Sequence, residues 1–212
     1  MVTDTPCYRE QMTGPRGKRL LRPVDLPALA RAGAELARAS QCTCVLIGGG
    51  AMQAFGLDRA TKDVDFAVRL EQGAAVEGAA RAAGMTVRPL KIGGFSVELP
   101  QGRVDFIDRR HGPRALFEEA VGQALHAGFS VDADGLEVLT IPLEYLVALK
   151  MVGARPRDEA DLAFLLQADD LDYGAARAIV VQHLGETVAR YLDRAARQAG
   201  RQDAPRDYDD DS

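Results

Sequence analysis

The sequence predicts an α/β (α+β) fold, in which a small mixed β-sheet core is flanked by helices and followed by a C-terminal helical region. Up to about Thr140, short β-rich segments alternate with segments whose apolar residues recur every three to four positions. Beyond Thr140, every segment has the helical spacing and none has the two-residue alternation of a half-buried strand. A mixed run of elements followed by helices alone is typical of a sheet that is backed by helices.

Glycine and proline separate the predicted elements of the core. Asp25 is a candidate N-cap for the first helix, Gly56 and Gly84 close the next two, and Pro113 suits the first turn of the last. In chain order, the core is predicted to contain a helix (VDLPALARAGAELARA), a strand (CTCVLIG), a short helix (AMQAFG), a strand (DVDFAV), a helix (EQGAAVEGAARAAG), three strands (MTVRPL, GFSVELP and GRVDFID), a helix (PRALFEEAVGQAL) and a strand (GLEVLT).

Four amphipathic segments make up the predicted helical region: PLEYLVALKMVGA, PRDEADLAFLLQA, YGAARAIVVQHLG and ETVARYLDRAARQAG. We therefore expect four units along the chain. They are a flexible basic leader (1–23), the α/β core (24–140), the helical region (141–200) and an acidic disordered tail (201–212).

The bulk properties exclude several classes of protein. The chain has 212 residues, of which 47% are hydrophobic and 27% charged, as in soluble globular proteins. No apolar run approaches the roughly 18–20 residues that span a bilayer, and no secretory signal is present, so we expect a cytoplasmic protein with no membrane partner. The odd number of cysteines argues against a disulfide framework, and Cys42 and Cys44 are interpreted as buried thiols rather than a metal or redox pair.

Two aspartates interrupt the apolar strand DVDFAV. Side chains alternate along a strand, so Asp63 and Asp65 lie on one face about 7 Å apart, while Val64 and Phe66 point into a core. Carboxylates this close repel each other unless a cation lies between them, and Mg²⁺ prefers such oxygen ligands. The alternative is a solvent-facing strand whose two acids lie beside a basic partner.

A third carboxylate is predicted to join them. Asp105 lies in GRVDFID, a strand with the same apolar flanks, and pairing of the two strands would bring three carboxylates to one metal cluster. Asp108 is the alternative third acid, but its place at the strand end beside Arg109 and Arg110 predicts an exposed role. The three histidines (His111, His126 and His183) are scattered and are interpreted as surface residues.

A glycine corner precedes the first pair of aspartates. Gly48 and Gly49 allow a sharp backbone turn that opens a helix, whose free N–H groups favour an anion. One loop could then bind a phosphate while the next strand holds the metal ion that bridges it. The glycines lack the G-x-G-x-x-G spacing of dinucleotide-binding oxidoreductases, which argues against that class.

This constellation resembles the DNA polymerase β-type nucleotidyltransferase superfamily. More narrowly, IGGGAMQAFGLDRATKDVDFAV is similar to the branch of predicted nucleotidyltransferases that includes the abortive-infection (AbiEii-like) toxins. The R-x-T-x-D-x-D string of that branch is matched by Arg59, Thr61, Asp63 and Asp65. A later helical motif is matched by Lys150, Arg157, Asp158 and Asp161. The similarity covers roughly 45–166, with one departure: many superfamily members have Gly-Ser where this chain has Gly-Gly.

The resemblance implies a transfer of a nucleoside monophosphate from an NTP to a hydroxyl, assisted by two Mg²⁺ ions. Asp63 and Asp65 would bind both ions, and Asp105 would bind the one that activates the nucleophile. The acceptor is left open between tRNA and protein, and an antitoxin partner is implied by the toxin branch. A catalytically silent binding module of the same fold, acting as an antitoxin-like or regulatory partner, is the alternative function.

Four residues are placed in the nucleotide-binding set: Gly48, Gly49, Arg59 and Lys150. For Arg59, contact with phosphate or base and a structural role beside the preceding helix stay open. Lys150 lies in an apolar helix, where it either extends to the surface or reaches the triphosphate, and the resemblance favours the triphosphate. Thr61 is interpreted as bonding the backbone at the strand entry.

Overall fold

The computed structural model describes residues 26–57, 61, 63–127, 129–153 and 155–206. Within them lie the helices α1 (Leu26–Ala39), α2 (Gly48–Ala54), α3 (Leu70–Ala82), α4 (Arg114–Ala127), α5 (Leu143–Gly153), α6 (Pro156–Leu165), α7 (Tyr173–Leu184) and α8 (Glu186–Gln198). The strands are β1 (Val45–Ile47), β2 (Asp63–Ala67), β3 (Thr86–Pro89), β4 (Phe95–Leu99), β5 (Gly102–Ile107), β6 (Ser130–Ala133) and β7 (Leu136–Leu139).

Five strands form a mixed sheet in the order β1-β2-β5-β4-β3. Strands β2 and β5 are parallel, and the other neighbouring pairs are antiparallel. The parallel register places Asp65 opposite Asp105 and Asp63 opposite Arg103. The central pair of strands therefore carries polar side chains at matching heights on one face.

The opposite face of the central strands is apolar and packs beneath α1 and α3. Val64, Phe66 and Phe106 have no exposed surface, and the rings of Phe66 and Phe106 stack with centroids 5.9 Å apart. Helix α1 lies so close that a Cβ on Gly33 would come within 2.8 Å of the Phe66 ring. This alternation of buried and polar positions along β2 is what fixes which face its aspartates occupy.

A second apolar cluster joins the sheet to the helical region. It includes Ile47, Ala67 and Ile107 from the strands together with Leu146 and Leu165 from α5 and α6. These helices therefore pack on the sheet through a continuous core, on the side of the molecule where the aspartates also lie. The division into an α/β unit and a helical unit at residue 140 stays a prediction.

The predicted fold class is confirmed, with two differences in the elements. Helix α2 begins at Gly48, three residues earlier than predicted, so the glycines form its first turn. Strand β6, which was not predicted, forms a two-stranded hairpin with β7. The hairpin is connected to β1, because the backbone N–H of Ile141 and the hydroxyl of Thr140 both donate to the carbonyl of Leu46, at 3.1 and 3.3 Å.

Both predicted termini lie partly or wholly outside the described residues. The leader (1–23) is outside them, as is Asp25. The first six residues of the predicted disordered tail are docked instead. Arg201 donates to the carbonyls of Leu166, Ala168 and Leu171 at 3.2 to 3.3 Å, and Ala204 is buried. None of the helices in the described ranges is long and apolar enough to cross a membrane.

Candidate active site

The site is built around the three-aspartate cluster, which we define as Asp63, Asp65 and Asp105. The structure brings these side chains together on the polar face of β2 and β5, with Asp65 directly opposite Asp105. Asp105 is buried, and the other two are partly buried. The sequence analysis gave pairing of these two apolar-flanked strands as the condition for such a cluster, and the structure adds the parallel direction and the register.

A basic side chain that the sequence reasoning missed lies among these carboxylates. Arg103 forms an ion pair with Asp63 through one terminal nitrogen, and its Nε lies 3.1 Å from Oδ1 of Asp105. Its position two residues before Asp105 on the same strand was the signal that could have found it, because such residues share a face. The alternative interpretation of this strand expected a basic residue beside its two acids, and Arg103 is such a residue.

The electrostatics of the cluster are dominated by burial and crowding. Burial, together with the negative charges of Asp63 and Asp105, raises the pKa of Asp65 to about 7, although Lys150 and Arg103 act in the opposite direction. Burial also raises the pKa of Asp105, against the opposing effects of Ser96 and Arg103. The positive charges of Arg103 and Lys150 therefore do not offset burial and the mutual repulsion of the three carboxylates, and the cluster is suited to receive a further cation.

The fit of a metal ion to these residues depends on Arg103. Among the residues that the structure describes, no set of three or more histidine, cysteine, aspartate or glutamate side chains is arranged to hold a metal ion as it stands. The donor set itself consists of carboxylate oxygens, which suit Mg²⁺. The Arg103 side chain is 45% exposed, so it can leave the carboxylates by rotating toward solvent. The cluster fits a hard divalent cation once that side chain moves.

The glycine corner packs directly on the cluster. Gly48 has φ +59°, and a Cβ added there would lie 2.2 Å from Oδ2 of Asp65. A Cβ on Gly49 would lie 2.8 Å from the hydroxyl of Thr61, which itself donates to the backbone carbonyl of Asp63 at 3.0 Å. The glycines therefore let the loop approach the aspartates closely, and the hydroxyl of Thr61 bonds the strand entry.

Lys150 is buried between two carboxylates of α6. Its Nζ lies 2.5 Å from Oδ2 of Asp161 and 3.5 Å from Oδ1 of Asp158, and the side chain is only 9% exposed. Its charge also influences the pKa of Asp65, which places the ammonium on the side of the three-aspartate cluster. Lys150 therefore does not extend to the surface. Asp158 and Asp161 hold it in position.

Arg155 is a further site residue that the sequence reasoning missed. Its Nε donates to Oδ2 of Asp158 at 2.7 Å, whereas Arg157, the arginine matched to the family motif, is exposed. Burial raises the pKa of Asp158, but the hydrogen bond from Arg155 and the charge of Lys150 outweigh it and hold that pKa below its usual value. Asp158 thus links Lys150 to Arg155 at the start of α6.

The end of β5 differs from the expectation for Asp108. This carboxylate is 2% exposed rather than exposed, because the chain folds over it and the guanidinium of Arg110 covers it with a contact of 2.5 Å. The next residue, Arg109, has φ +50°, and within the described part of the chain its buried Nε has no hydrogen-bond partner.

A cavity of about 360 Å³ opens beyond Lys150, between α5, α6 and α8. Its lining combines charged side chains with a largely apolar surface and one aromatic ring, that of Tyr191, which is 45% exposed. The lining residues are Lys150, Met151, Asp158, Glu159, Leu162, Thr187, Val188, Tyr191 and Arg194. Its volume and mixed lining are those of a small-molecule site.

Other residues singled out in the sequence lie away from the site. Cys42 and Cys44 are free and buried, and burial raises the pKa of Cys42 to about 11. His111 and His126 are exposed, but the prediction for His183 is wrong. Its side chain is 7% exposed, because its Nε2 hydrogen-bonds Glu119 at 3.0 Å between α4 and α7. Arg59 lies outside the described residues.

Comparison with solved structures finds distant likenesses. The crystal structure of ANT(2")-Ia in complex with adenylyl-2"-tobramycin is 17% identical and covers 82% of this chain and 98% of that one, with a TM-score of 0.48. An antigenic nucleotidyltransferase-like protein from Paracoccidioides brasiliensis is 12% identical, with coverages of 83% and 95% and a TM-score of 0.45. Since both scores lie below 0.5, nothing about activity is concluded from them. No curated protein matches the chain in sequence.

The family comparison is more extensive. The family model described as "Nucleotidyl transferase AbiEii toxin, Type IV TA system" matches residues 34–211, which include the glycine corner, the three-aspartate cluster and all of α5 to α8. The chain belongs to this AbiEii nucleotidyltransferase family.

Proposed function

We propose that the protein is a Mg²⁺-dependent nucleotidyltransferase that transfers a nucleoside monophosphate from an NTP to a hydroxyl of an acceptor. Membership of the AbiEii family supports the reaction class. The single observation that carries the proposal is the parallel register that sets Asp65 opposite Asp105, with Asp63 on the same face. Three carboxylates at one place, served by one arginine, are hard to explain by stability, because each repels the others.

In this proposal Asp63 and Asp65 would bind two Mg²⁺ ions, and Asp105 would bind the one that activates the acceptor hydroxyl. Bound divalent cations lower the pKa of the attacking hydroxyl and neutralise charge on the leaving pyrophosphate. A bound divalent cation would favour the ionised form of Asp65, whose pKa is raised to about 7 without one. Arg103, which contacts Asp63 and Asp105, would have to rotate toward solvent to make room for the cation.

The glycine corner and the helical region complete the cleft. Gly48 and Gly49 bring the backbone next to the cluster, so the phosphates of the NTP can approach both. Lys150, held by Asp158 and Asp161, supplies a fixed positive charge on the opposite wall. The cavity beyond Lys150 accepts the nucleoside, with its apolar walls against the base. Arg59 stays in the proposed nucleotide-binding set.

The family description leads us to include an antitoxin partner and a cytoplasmic location in the proposal. The acceptor is proposed to be a hydroxyl of tRNA or of a protein. A catalytically silent module that only binds a partner would keep the fold without metal-dependent binding of NTP, and the same experiment separates the two functions.

The test is calorimetric titration with each of the four NTPs, with and without Mg²⁺. We expect the wild type to bind at least one NTP only when Mg²⁺ is present, and the Asp63→Ala, Asp65→Ala double variant to lose that binding. A matched double variant, Glu77→Ala with Glu118→Ala, removes two acids from α3 and α4 and should bind as the wild type does. Equal binding by both double variants would exclude the three-aspartate cluster as the metal site.

A further inference from the structure

The end of β5 contains an arginine whose placement costs stability. Arg109 adopts φ +50°, in the left-handed region that residues with a Cβ rarely occupy. Its Nε is buried and has no hydrogen-bond partner among the residues that the structure describes. A buried donor without a partner loses its hydration and gains nothing in return, so both features destabilise the folded chain.

The surroundings of Arg109 identify the place that its side chain reaches. The charges that influence it belong to Asp65 on β2 and to Arg155 and Asp158 at the start of α6. The guanidinium therefore lies within electrostatic reach of both the three-aspartate cluster and the start of α6. Burial lowers the pKa of Arg109, and the charge of Arg155 lowers it further, as expected where two arginines face one space.

We propose that Arg109 is a binding residue for the polyphosphate of a nucleotide, which supplies the hydrogen-bond acceptors that its buried Nε lacks. The inference rests on the proposed function for the identity of the nucleotide, but the anion site is defined by Arg109 itself. The guanidinium of an arginine offers donors in a planar fork that matches phosphate oxygens. The ammonium of a lysine cannot form the same pair of hydrogen bonds. A strained backbone and a donor without a partner are found together at binding sites, where a bound ligand supplies the missing hydrogen bond.

Arg155 has a different part in this arrangement. Its guanidinium is already bonded to Asp158 through Nε at 2.7 Å and through a terminal nitrogen at 3.2 Å. It therefore adds positive charge near the anion while its fork is occupied. Arg109 is the residue with a buried donor still to be satisfied, so it is the one whose loss should be measured.

The experiment titrates inorganic tripolyphosphate into the full-length protein, in EDTA and again in Mg²⁺, and follows heat and melting temperature. We compare the wild type, Arg109→Gln, Arg109→Lys and the control Arg114→Gln, which removes an exposed arginine of α4 paired with Glu118. A charged hydrogen bond contributes about a tenfold to hundredfold gain in affinity. Arg109→Gln should therefore bind at least tenfold more weakly, Arg109→Lys should recover only part, and Arg114→Gln should bind as the wild type does.

Stability gives a second measurement in the opposite direction. Arg109→Gly removes the buried donor and suits φ +50°, so its ligand-free melting temperature should rise above that of the wild type while tripolyphosphate no longer raises it. Wild-type affinity in Arg109→Gln, or no binding of tripolyphosphate by the wild type in either buffer, would overturn the proposal. So would weaker binding of a 5′-hydroxyl oligoribonucleotide by Arg109→Gln with tripolyphosphate binding unchanged, because the anion would then be a nucleic acid backbone.

These outcomes are independent of the proposed catalytic metal site. If the variants of Asp63 and Asp65 keep Mg²⁺-dependent binding of NTP while Arg109→Gln loses tripolyphosphate, the metal assignment fails and the anion site stands. If Arg109→Gln binds tripolyphosphate normally while the aspartate variants lose binding of NTP, the anion site fails and the metal assignment stands.

Discussion

Asp65→Asn should stabilise the metal-free protein, and the gain should grow with pH. The pKa of Asp65 is raised from 3.8 to about 7 in the folded chain, mainly by burial and by its two neighbouring carboxylates. Between these values the folded state keeps a proton that the unfolded state has lost, so stability falls as pH rises through that window. A rise in pKa of about 3 corresponds to about 4 kcal/mol in the free energy of unfolding of the wild type, and this contribution is fully lost above pH 7.

Asparagine has nearly the same shape and no charge, so it escapes this loss. In EDTA, we expect Asp65→Asn to exceed the wild type by about 4 kcal/mol at pH 8 and by less than about 2 kcal/mol at pH 5. The assay is urea denaturation followed by circular dichroism at half-unit steps from pH 5 to 8. Glu35→Gln, on the exposed side of α1, is the control and should not give a pH-dependent gain.

The reasoning would be refuted by a variant that is equally stable or less stable than the wild type at pH 8. It would also be refuted by a gain that does not shrink toward pH 5, since a constant gain would come from packing rather than charge. Addition of Mg²⁺ should reverse the order of the two proteins at pH 8, because only the ionised aspartate gains a ligand.

Three further predictions concern the neighbouring groups. Gly48→Ala should lower the free energy of unfolding by more than about 1 kcal/mol, because the backbone there has φ +59° and the added Cβ would lie 2.2 Å from an oxygen of Asp65. Gly78→Ala is the control in the same urea assay. Its Cβ would meet nothing within 4 Å, so it should raise the free energy of unfolding by about 0.5–1 kcal/mol. Arg103→Gln should tighten Mn²⁺ binding several-fold in calorimetry, because the guanidinium occupies the carboxylates that the ion needs, and weaker binding would contradict the displacement. Lys150→Met should cost about 3 kcal/mol of stability, because it removes the ammonium that lies against the buried carboxylate of Asp161. Adding Asp161→Asn should recover part of that loss in a double-mutant cycle. Strict additivity of the two changes would argue against a functional ion pair.

Much of the fold was predictable because its signals are local. The two-residue alternation in β2 and β5 identified the strands and the face of the aspartates, and the 3.6-residue spacing identified α5 to α8. Strand β6 is no shorter than β3 or β7, but its apolar residues are only Val131 and Ala133, and it runs directly into the tight Asp134-Gly135 turn. Two apolar positions followed by turn residues are too few to establish a period.

The side-chain partners were much harder to predict, because they depend on contacts between distant segments. Asp108 was expected at the surface from its charged neighbours, yet the chain buries it under Arg110. His183 was expected to be exposed, but packing of α7 on α4 sets it against Glu119, 64 residues away in sequence. Arg103 and Arg155 did have local signals: Arg103 shares a strand face with the aspartate two residues later, and Arg155 lies three residues before its partner Asp158.

The close packing of Gly49 against Thr61 links two positions that are twelve residues apart in the chain. A side chain at position 49 would need the space that the Thr61 hydroxyl and Cβ occupy, at 2.8 and 3.0 Å from the added atom. A change to serine at position 49 therefore requires Thr61 to shift, or to be replaced by a smaller residue as in Thr61→Gly. That change would in turn release the backbone carbonyl of Asp63 from its hydroxyl donor. The space between positions 49 and 61 holds only one side chain. The two positions should therefore be interpreted in related sequences, or redesigned, as a pair.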